Sequence, residues 1–345
     1  MKKIVITGGG TAGHIYPALA VAETLQGNEI HYIGGNGMEK EIIKKYPHIL
    51  FHQIPTVKFE RKFSLKNLSI PFKLISSINQ SKKILKEINP SVIFSKGGYV
   101  SLPVAIAGHA LKIPIVSHES DLSFGLSNKI ILHLCDVMCT TFEETAINHK
   151  KCIHTGQPIR DEISHGRKKK FFKNDNPTIL FLGGSLGAKF INTIVEKNIE
   201  LLTQKYNIIH IYGQKNSNET THENYIKFPF YDKIEDLYKS ADVVISRSGS
   251  GVINELLSLS KPMILIPLPK ANSRGDQIEN ALLFKEKGYA EVIMQDDFEI
   301  NKFIKIIDKT LKNMEKITKK MKKSAKNSAK NEIFEILNNF LEKSD

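Results

Sequence analysis

The sequence predicts an α/β protein: two Rossmann-like domains facing a cleft. Three observations predict it. Short apolar strands alternate with helix-period segments along the whole chain, the pattern of βαβ units in parallel sheets. A strand that runs into a glycine turn and then a helix opens the chain, and the same opening recurs at Thr178. Between the halves, Gly156-Gln157-Pro158 breaks the pattern and the basic stretch Arg167 to Lys170 follows, which reads as a linker. At 345 residues the chain is too long for one typical core and suits two domains, expected over 1–157 and 158–327.

In the first half the spacing predicts strands near 3–7, 29–34, 50–54, 92–95, 114–118, 137–141 and 152–155. Helices fall between them, near 14–26, 38–45, 71–88, 100–111, 124–133 and 143–148. The second half opens with Thr178-Ile179-Leu180-Phe181-Leu182, the turn Gly183 to Gly187, and a helix over about 188–204. Further strands are expected near 208–212, 225–229, 242–246, 262–266 and 290–294, and the tail from about 314 is helical.

The first turn, Gly8-Gly9-Gly10-Thr11-Ala12-Gly13-His14, is the most informative stretch. Glycines let backbone approach a ligand, and a helix N-terminus offers N–H groups to an anion. His14 adds a group that holds or releases a proton near neutral pH. The turn also fits G-x-G-x-x-G, a weak signal for a dinucleotide. That fingerprint needs a carboxylate at the end of the second strand, and Ile33 runs instead into Gly34-Gly35-Asn36-Gly37. A nicotinamide or flavin enzyme is thereby demoted.

Composition is that of an ordinary globular protein, 41% hydrophobic and 25% charged. The three cysteines, Cys135, Cys139 and Cys152, make no even framework and read as small buried residues of a reducing compartment. No signal peptide is visible and no run reaches the 18 apolar residues of a spanning helix, so a cytoplasmic protein is expected. Net charge is +13 and uneven: residues 58–87 hold eight Lys/Arg against two acids, and 312–330 hold eight Lys against one. Such an excess favours an anionic surface or substrate. Nucleic acid is disfavoured, because the clusters lack interleaved aromatics and no nucleic-acid module is present.

Six stretches cluster at expected strand ends or helix starts. They are Gly8 to His14, Ser95 to Tyr99, Ser117 to Asp121, Gly183 to Ser185, Ser246 to Ser250 with Glu255, and Gly275 to Gln277 with Asn280. Loops at one end of a sheet share a face and together can form one site. Taken singly each has a structural explanation: a tight reversal, a satisfied pair, a solvated helix face. The histidines are scattered and no cluster has metal-ligand spacing, so no metal and no cofactor is expected.

Together with Gly156 to Arg160, these motifs resemble glycosyltransferase family 28, and within it the MurG family of N-acetylglucosaminyltransferases of bacterial peptidoglycan synthesis. The match runs through nearly the whole chain in order. It implies a GT-B fold whose C-terminal helix, about 328–345, returns to the first domain. It implies inverting transfer of GlcNAc from UDP-GlcNAc to the MurNAc 4-hydroxyl of lipid I, giving lipid II. By motif, Thr11, Ala12 and Gly13 would face the donor sugar and the acceptor diphosphate, and Tyr99 would line the same site. Arg160 and Ser185 would contact UDP-GlcNAc, and Tyr231 would offer backbone to the uracil. Ser250, Gly251 and Val252 would lie near the nucleotide phosphates, Glu255 at the ribose, and Gln277 and Asn280 at the GlcNAc hydroxyls. Where many members have His-Glu-Gln-Asn, this chain has His118-Glu119-Ser120-Asp121, and Asp121 takes the place of a donor-binding amide.

The chemistry needs a base for the sugar hydroxyl, for which His14 is the first candidate and Glu119 the second. The lipid-linked acceptor implies a peripheral enzyme on the cytoplasmic face of the membrane, with cell-wall synthesis proteins as further partners. Phe63, Leu68 and Phe72 lie among Lys66 and Lys73, an apolar patch ringed by cations that suits an anionic bilayer. Three rivals stay open: a diacylglycerol glycosyltransferase of the same family, a UDP-GlcNAc 2-epimerase, and a nicotinamide enzyme.

Overall fold

A computed structural model describes residues 1–56, 70–147, 149–183, 187–214, 216–324 and 328–343, with Ile70 and Asn272 described by backbone alone. The chain divides into two compact units, Met1–Arg160 with Asn327–Asp345, and Asp161–Lys326.

Among the described residues the first unit carries a seven-stranded sheet. Its strands are β1 (Lys3–Thr7), β2 (Glu29–Gly34), β3 (Ile49–Gln53), β4 (Val92–Ser95), β5 (Ile115–Glu119), β6 (Val137–Thr140) and β7 (Cys152–His154). Its helices are α1 (Ala12–Ala22), α2 (Met38–Ile43), α3 (Ile70–Ile88), α4 (Ser101–Ala110), α5 (Leu126–Leu134) and α6 (Glu143–Ala146). In the second unit the described strands are β8 (Thr178–Leu182), β9 (Asn207–Ile211), β10 (Tyr225–Phe228), β11 (Val243–Ser246), β12 (Met263–Leu265) and β13 (Ala290–Val292). The helices there are α7 (Lys189–Lys197), α8 (Ile199–Thr203), α9 (Ile234–Ser240), α10 (Ser250–Ser258), α11 (Asp276–Glu286), α12 (Ile300–Lys312) and α13 (Met314–Ser324). The last helix, α14 (Ala329–Glu342), belongs to the first unit.

The strand orders are β3-β2-β1-β4-β5-β6-β7 and β10-β9-β8-β11-β12-β13, and every described pairing is parallel. Both sheets therefore reverse their winding next to the first strand, between β1 and β4 and between β8 and β11. Ligands of open α/β sheets bind beyond the carboxyl ends of the strands at such a point. The glycine turn that follows β1 stands there.

Parallel strands bury both faces, so they read as continuous apolar runs. In β1, Ile4 and Ile6 join the core under α1 and α14, while Val5 joins the opposite core with Leu85, Val104 and Ile131. α14 closes the first core with Ile333, Leu337 and Leu341. The long helix α3 buries Leu85 and Ile88, leaves Ile78 and Ile84 partly buried against that core, and exposes Phe72, Lys73 and Ile75. The three cysteines are free thiols.

Two elements differ from expectation. The helix expected over 188–204 is two, because Asn198 leaves helical geometry (φ −125, ψ 19) between α7 and α8. The stretch read as a linker is instead anchored to the second unit. Asp161–His165 forms a 3-10 turn, Arg167 N–H donates to Asp236 Oδ1 at 2.8 Å, and Lys169 N–H donates to Ser240 Oγ at 2.8 Å. Asp236 also pairs with the Lys169 ammonium at 2.8 Å, which holds its carboxyl below the ordinary range.

Leu337→Ala tests the return of α14 to the first core. Its side chain has no exposed surface, so truncation should cost about 2–4 kcal/mol in denaturant unfolding. An unchanged midpoint would place that helix outside the core.

Candidate active site

The first site is built by loops after β1, β4 and β5. β1 and β4 pair in register, Thr7 beside Ser95, so the Gly8 turn and the Lys96 turn leave the sheet side by side. Lys96 N–H donates to Thr7 O at 2.8 Å and fixes the two turns together. Thr11 caps α1 in extended geometry, and the first turn of that helix carries no acid. An N-terminus without acids keeps its positive potential for an outside anion.

His14 lies in that first turn, half-buried, with Nδ1 3.2 Å from Lys96 O. A carbonyl only accepts, so Nδ1 carries the hydrogen and Nε2 is the basic nitrogen. The turn Lys96-Gly97-Gly98 needs its glycines. Both have φ +85, and a Cβ on Gly98 would stand 2.8 Å from Gly9 O and 3.5 Å from His14 Nε2. Tyr99 lays its ring against Gly10, whose φ is +87. Burial, with Glu39 nearby, pushes the Tyr99 phenol up.

The loop is held from beneath by residues that sequence reasoning missed. Tyr32 donates to Gly8 O at 2.6 Å. Glu39, in the first turn of α2, accepts from Gly35 N–H at 2.9 Å and Gly10 N–H at 3.4 Å, and is 1% exposed. No carboxylate stands at the end of β2 for a ribose. The one five residues further on is turned inward to the glycine backbone, which removes the last support for a dinucleotide fingerprint. A carboxylate two residues after the glycines Gly34, Gly35 and Gly37 was the available signal.

Glu119 is buried and its oxygens are occupied. They accept from Asp121 N–H at 3.0 Å, Gly125 N–H at 2.9 Å and Asn128 Nδ2 at 2.9 Å. That geometry makes it the organiser of the 120–125 loop and favours His14 as the base. His118 donates Nε2–H to Gly156 O at 2.9 Å, and burial together with the Lys96 charge keeps its ring well below the ordinary histidine range. Asp121 is half-buried. Lys96 has no exposed surface, and its ammonium donates to Ser120 Oγ. Arg160 places its guanidinium 4.2 Å from the centroid of the Tyr16 ring, on the helix that follows the glycine turn.

The second site follows β11 and β12. Gly249 caps α10, a Cβ there would meet nothing within 4 Å, and the first turn again carries no acid. Ser250 is buried, with its Oγ 3.2 Å from Asn254 Nδ2, while Gly251 and Val252 are half-buried. Arg247 is folded back on the ends of β12, donating to Ile266 O at 3.0 Å and Pro267 O at 3.1 Å. Glu255 accepts from Tyr238 O–H at 3.0 Å. Gln277 accepts from Leu268 N–H at 3.1 Å through its side chain and from Ser248 O–H at 2.7 Å through its backbone. Asn280 is fully buried and donates to Ser248 O at 3.2 Å, so it holds the Ser248 turn rather than lining an open surface. Tyr231 O–H accepts from Lys169 at 3.0 Å.

Ser185, Phe63, Lys66 and Leu68 lie outside the described residues. Of the membrane patch, Phe72 and Lys73 are described, and both are exposed. Among the described residues, no three His, Cys, Asp or Glu side chains could hold a metal, and no helix is long and apolar enough to cross a membrane.

Two parallel α/β units, each with an acid-free helix N-terminus at its reversal point, define a GT-B-type glycosyltransferase fold. The family model for the glycosyltransferase family 28 N-terminal domain matches residues 4–140, and that for its C-terminal domain matches 178–336. A Clostridium botulinum (strain Hall) protein named UDP-N-acetylglucosamine--N-acetylmuramyl-(pentapeptide) pyrophosphoryl-undecaprenol N-acetylglucosamine transferase is 45% identical over 91% of this chain and 92% of its own length. This chain belongs to glycosyltransferase family 28. Among solved structures, Acinetobacter baumannii MurG matches 98% of this chain and 100% of its own at TM-score 0.77 and 24% identity. A UDP-GlcNAc 2-epimerase from Neisseria meningitidis matches 97% of this chain and 99% of its own at TM-score 0.65 and 15% identity. Both structures speak for the fold alone.

Gly10 and Gly13 should separate loop strain from helix propensity. Gly10→Ala puts a side chain at φ +87 with its Cβ 2.5 Å from the Tyr99 ring, and should lose about 1–3 kcal/mol. A Cβ on Gly13 meets nothing nearer than Thr11 Oγ1 at 3.7 Å, so Gly13→Ala should melt at or above wild type. Equal losses in thermal unfolding would contradict the contrast.

Proposed function

We propose that this chain transfers GlcNAc from UDP-GlcNAc to the MurNAc 4-hydroxyl of undecaprenyl-diphospho-MurNAc-pentapeptide, with inversion, in peptidoglycan synthesis. The substrate pair follows from near-full-length similarity to a relative named for that transfer. The observation in this chain that carries the chemistry is His14, held by Lys96 O at the N-terminus of α1 with Nε2 as its basic nitrogen.

The first unit takes the acceptor, whose diphosphate meets the N–H groups of Thr11 to Gly13. His14 Nε2 removes the proton of the attacking hydroxyl. The second unit takes the donor, with its diphosphate at the N-terminus of α10 and its ribose at Glu255. As the glycosidic bond breaks, charge grows on the leaving UDP. The dipole and the N-terminal N–H groups of α10 stabilise that charge as it develops. A single displacement by the acceptor inverts the anomeric centre and needs no protein nucleophile. Gln277 contacts the GlcNAc hydroxyls, and Tyr231 the base.

Radiolabel transfer from UDP-GlcNAc to lipid I tests this, with diacylglycerol and no-acceptor controls. Label in lipid II alone is expected. Label in diacylglycerol, or epimerisation without an acceptor, would overturn it. His14→Ala should lower kcat about 100- to 10,000-fold while UDP binding persists, and near-normal turnover would remove His14 from the role.

The same reading places the enzyme on the cytoplasmic membrane surface through α3. Phe72 is 76% exposed and Ile75 56%, beside the Lys73 ammonium. Exposed apolar side chains beside cations suit an anionic bilayer. Lys73→Glu should weaken binding to anionic vesicles at low salt, with the loss fading as salt rises. Phe72→Ser should weaken it at every salt concentration, because apolar burial is not screened. Co-sedimentation unchanged in both variants would move the membrane surface elsewhere.

A further inference from the structure

Glu39 takes no part in the chemistry above, yet it is a carboxylate with 1% of its surface exposed, set against the glycine turn of the first unit. Such a group is costly to bury unless donors meet it. The donors here are backbone. Oε1 accepts from Gly35 N–H at 2.9 Å, in the turn after β2, and Oε2 from Gly10 N–H at 3.4 Å, in the turn after β1. β1 and β2 pair in register, Thr7 beside Ile33, so the two turns leave the sheet as neighbours and one side chain can join them. Glycines leave it room: a Cβ on Gly9, Gly35 or Gly37 would stand 3.0, 2.8 or 2.9 Å from one of its oxygens. Gly10 itself has φ +87, and a Cβ there would stand 2.5 Å from the Tyr99 ring. Its backbone is therefore fixed twice, by the ring against its Cα and by the carboxylate on its N–H. A carboxylate on the N–H groups of glycine turns is the arrangement an outside anion takes at such turns. Here that anion belongs to the chain.

We propose that Glu39 is the resident anion of the first glycine turn. It occupies the N–H groups of Gly10 and Gly35, holds Gly10 in its left-handed conformation, and so leaves the next N–H groups, Thr11 to Gly13, to the acceptor diphosphate. The identity of that ligand rests on the function proposed above. Glu39 touches no substrate; it is a positioning residue that acts through Gly10. The inward turn of its side chain also fills the place beyond β2 where a dinucleotide site would seat a ribose. The first unit is thereby kept for the acceptor.

The test is chemical rescue of Glu39→Ala in the full chain by formate, a free carboxylate small enough for the space left behind. Steady-state kinetics use UDP-GlcNAc and a water-soluble lipid I analogue, with thermal unfolding and calorimetric titration with UDP in parallel. Glu39→Ala leaves two backbone donors without their acceptor. It should raise KM for the lipid I analogue about tenfold with kcat changed far less, lower the melting temperature, and leave UDP affinity at the wild-type value. Formate should recover much of the KM and of the melting temperature, more than chloride at the same ionic strength, and should do neither in wild type. A space-filling role would not respond to formate. Should Glu39→Ala fail to fold, Glu39→Gln carries the test: it keeps the volume but turns an amide nitrogen on one of the two N–H groups, and should raise the same KM. The inference is overturned by wild-type KM in the folded variant, by equal recovery with chloride, or by a matching loss of UDP affinity. Should the wild type fail to transfer GlcNAc, the functional reading falls, while the formate dependence of melting still decides whether Glu39 is the anion of the turn.

Discussion

The site of the first unit depends on one hydrogen bond between a side chain and a backbone carbonyl, His14 Nδ1 to Lys96 O. It selects the tautomer, and so decides which ring nitrogen can take a proton. The bond exists because β1 and β4 are neighbours in register and because Lys96 N–H is tied to Thr7 O. Sliding β4 by one residue would carry that carbonyl away and turn each of its side chains to the other face. A histidine in the first turn of α1 is thus oriented by a carbonyl 82 residues away in sequence.

The second unit repeats the strand order without repeating the chemistry. Both units offer an acid-free helix N-terminus beside a reversal point, α1 and α10. Only the first carries a histidine there. In the second, Arg247, Gln277 and Asn280 spend their polar groups on the backbone of the surrounding loops. That division fits an acceptor unit that must supply a base and a donor unit that must stabilise a leaving diphosphate. Rigid loops matter to both, because stabilisation by fixed dipoles is effective only when the dipoles need no rearrangement.

The architecture was legible because parallel strands are apolar on both faces and glycines mark their ends; Ile4-Val5-Ile6 and Ile179 to Leu182 announce themselves. The break at Asn198 was not, since α7 and α8 share one amphipathic run and only the backbone departs from it. His14 could be singled out because its glycine turn is local. Glu39 and Lys96 could not, because their roles are made by contacts far apart in the chain, Glu39 to Gly10 and Lys96 to Ser120. Lys96 did leave a trace: a lysine directly after the fully buried strand Val92–Ser95 and before two glycines has nowhere solvated to go. Asn280, read from its motif as a GlcNAc contact, and Glu119, read as the second candidate base, both spend polar groups on neighbouring loops.

Nitrogen-15 NMR of the His14 ring in the free enzyme observes the state of the imidazole directly. Measured at a pH where the ring is neutral, with His14→Gln to assign the signal, the ring should show a protonated Nδ1 and a bare Nε2. A ring that carries its hydrogen on Nε2 would contradict it, because that nitrogen could then take no proton from the acceptor hydroxyl.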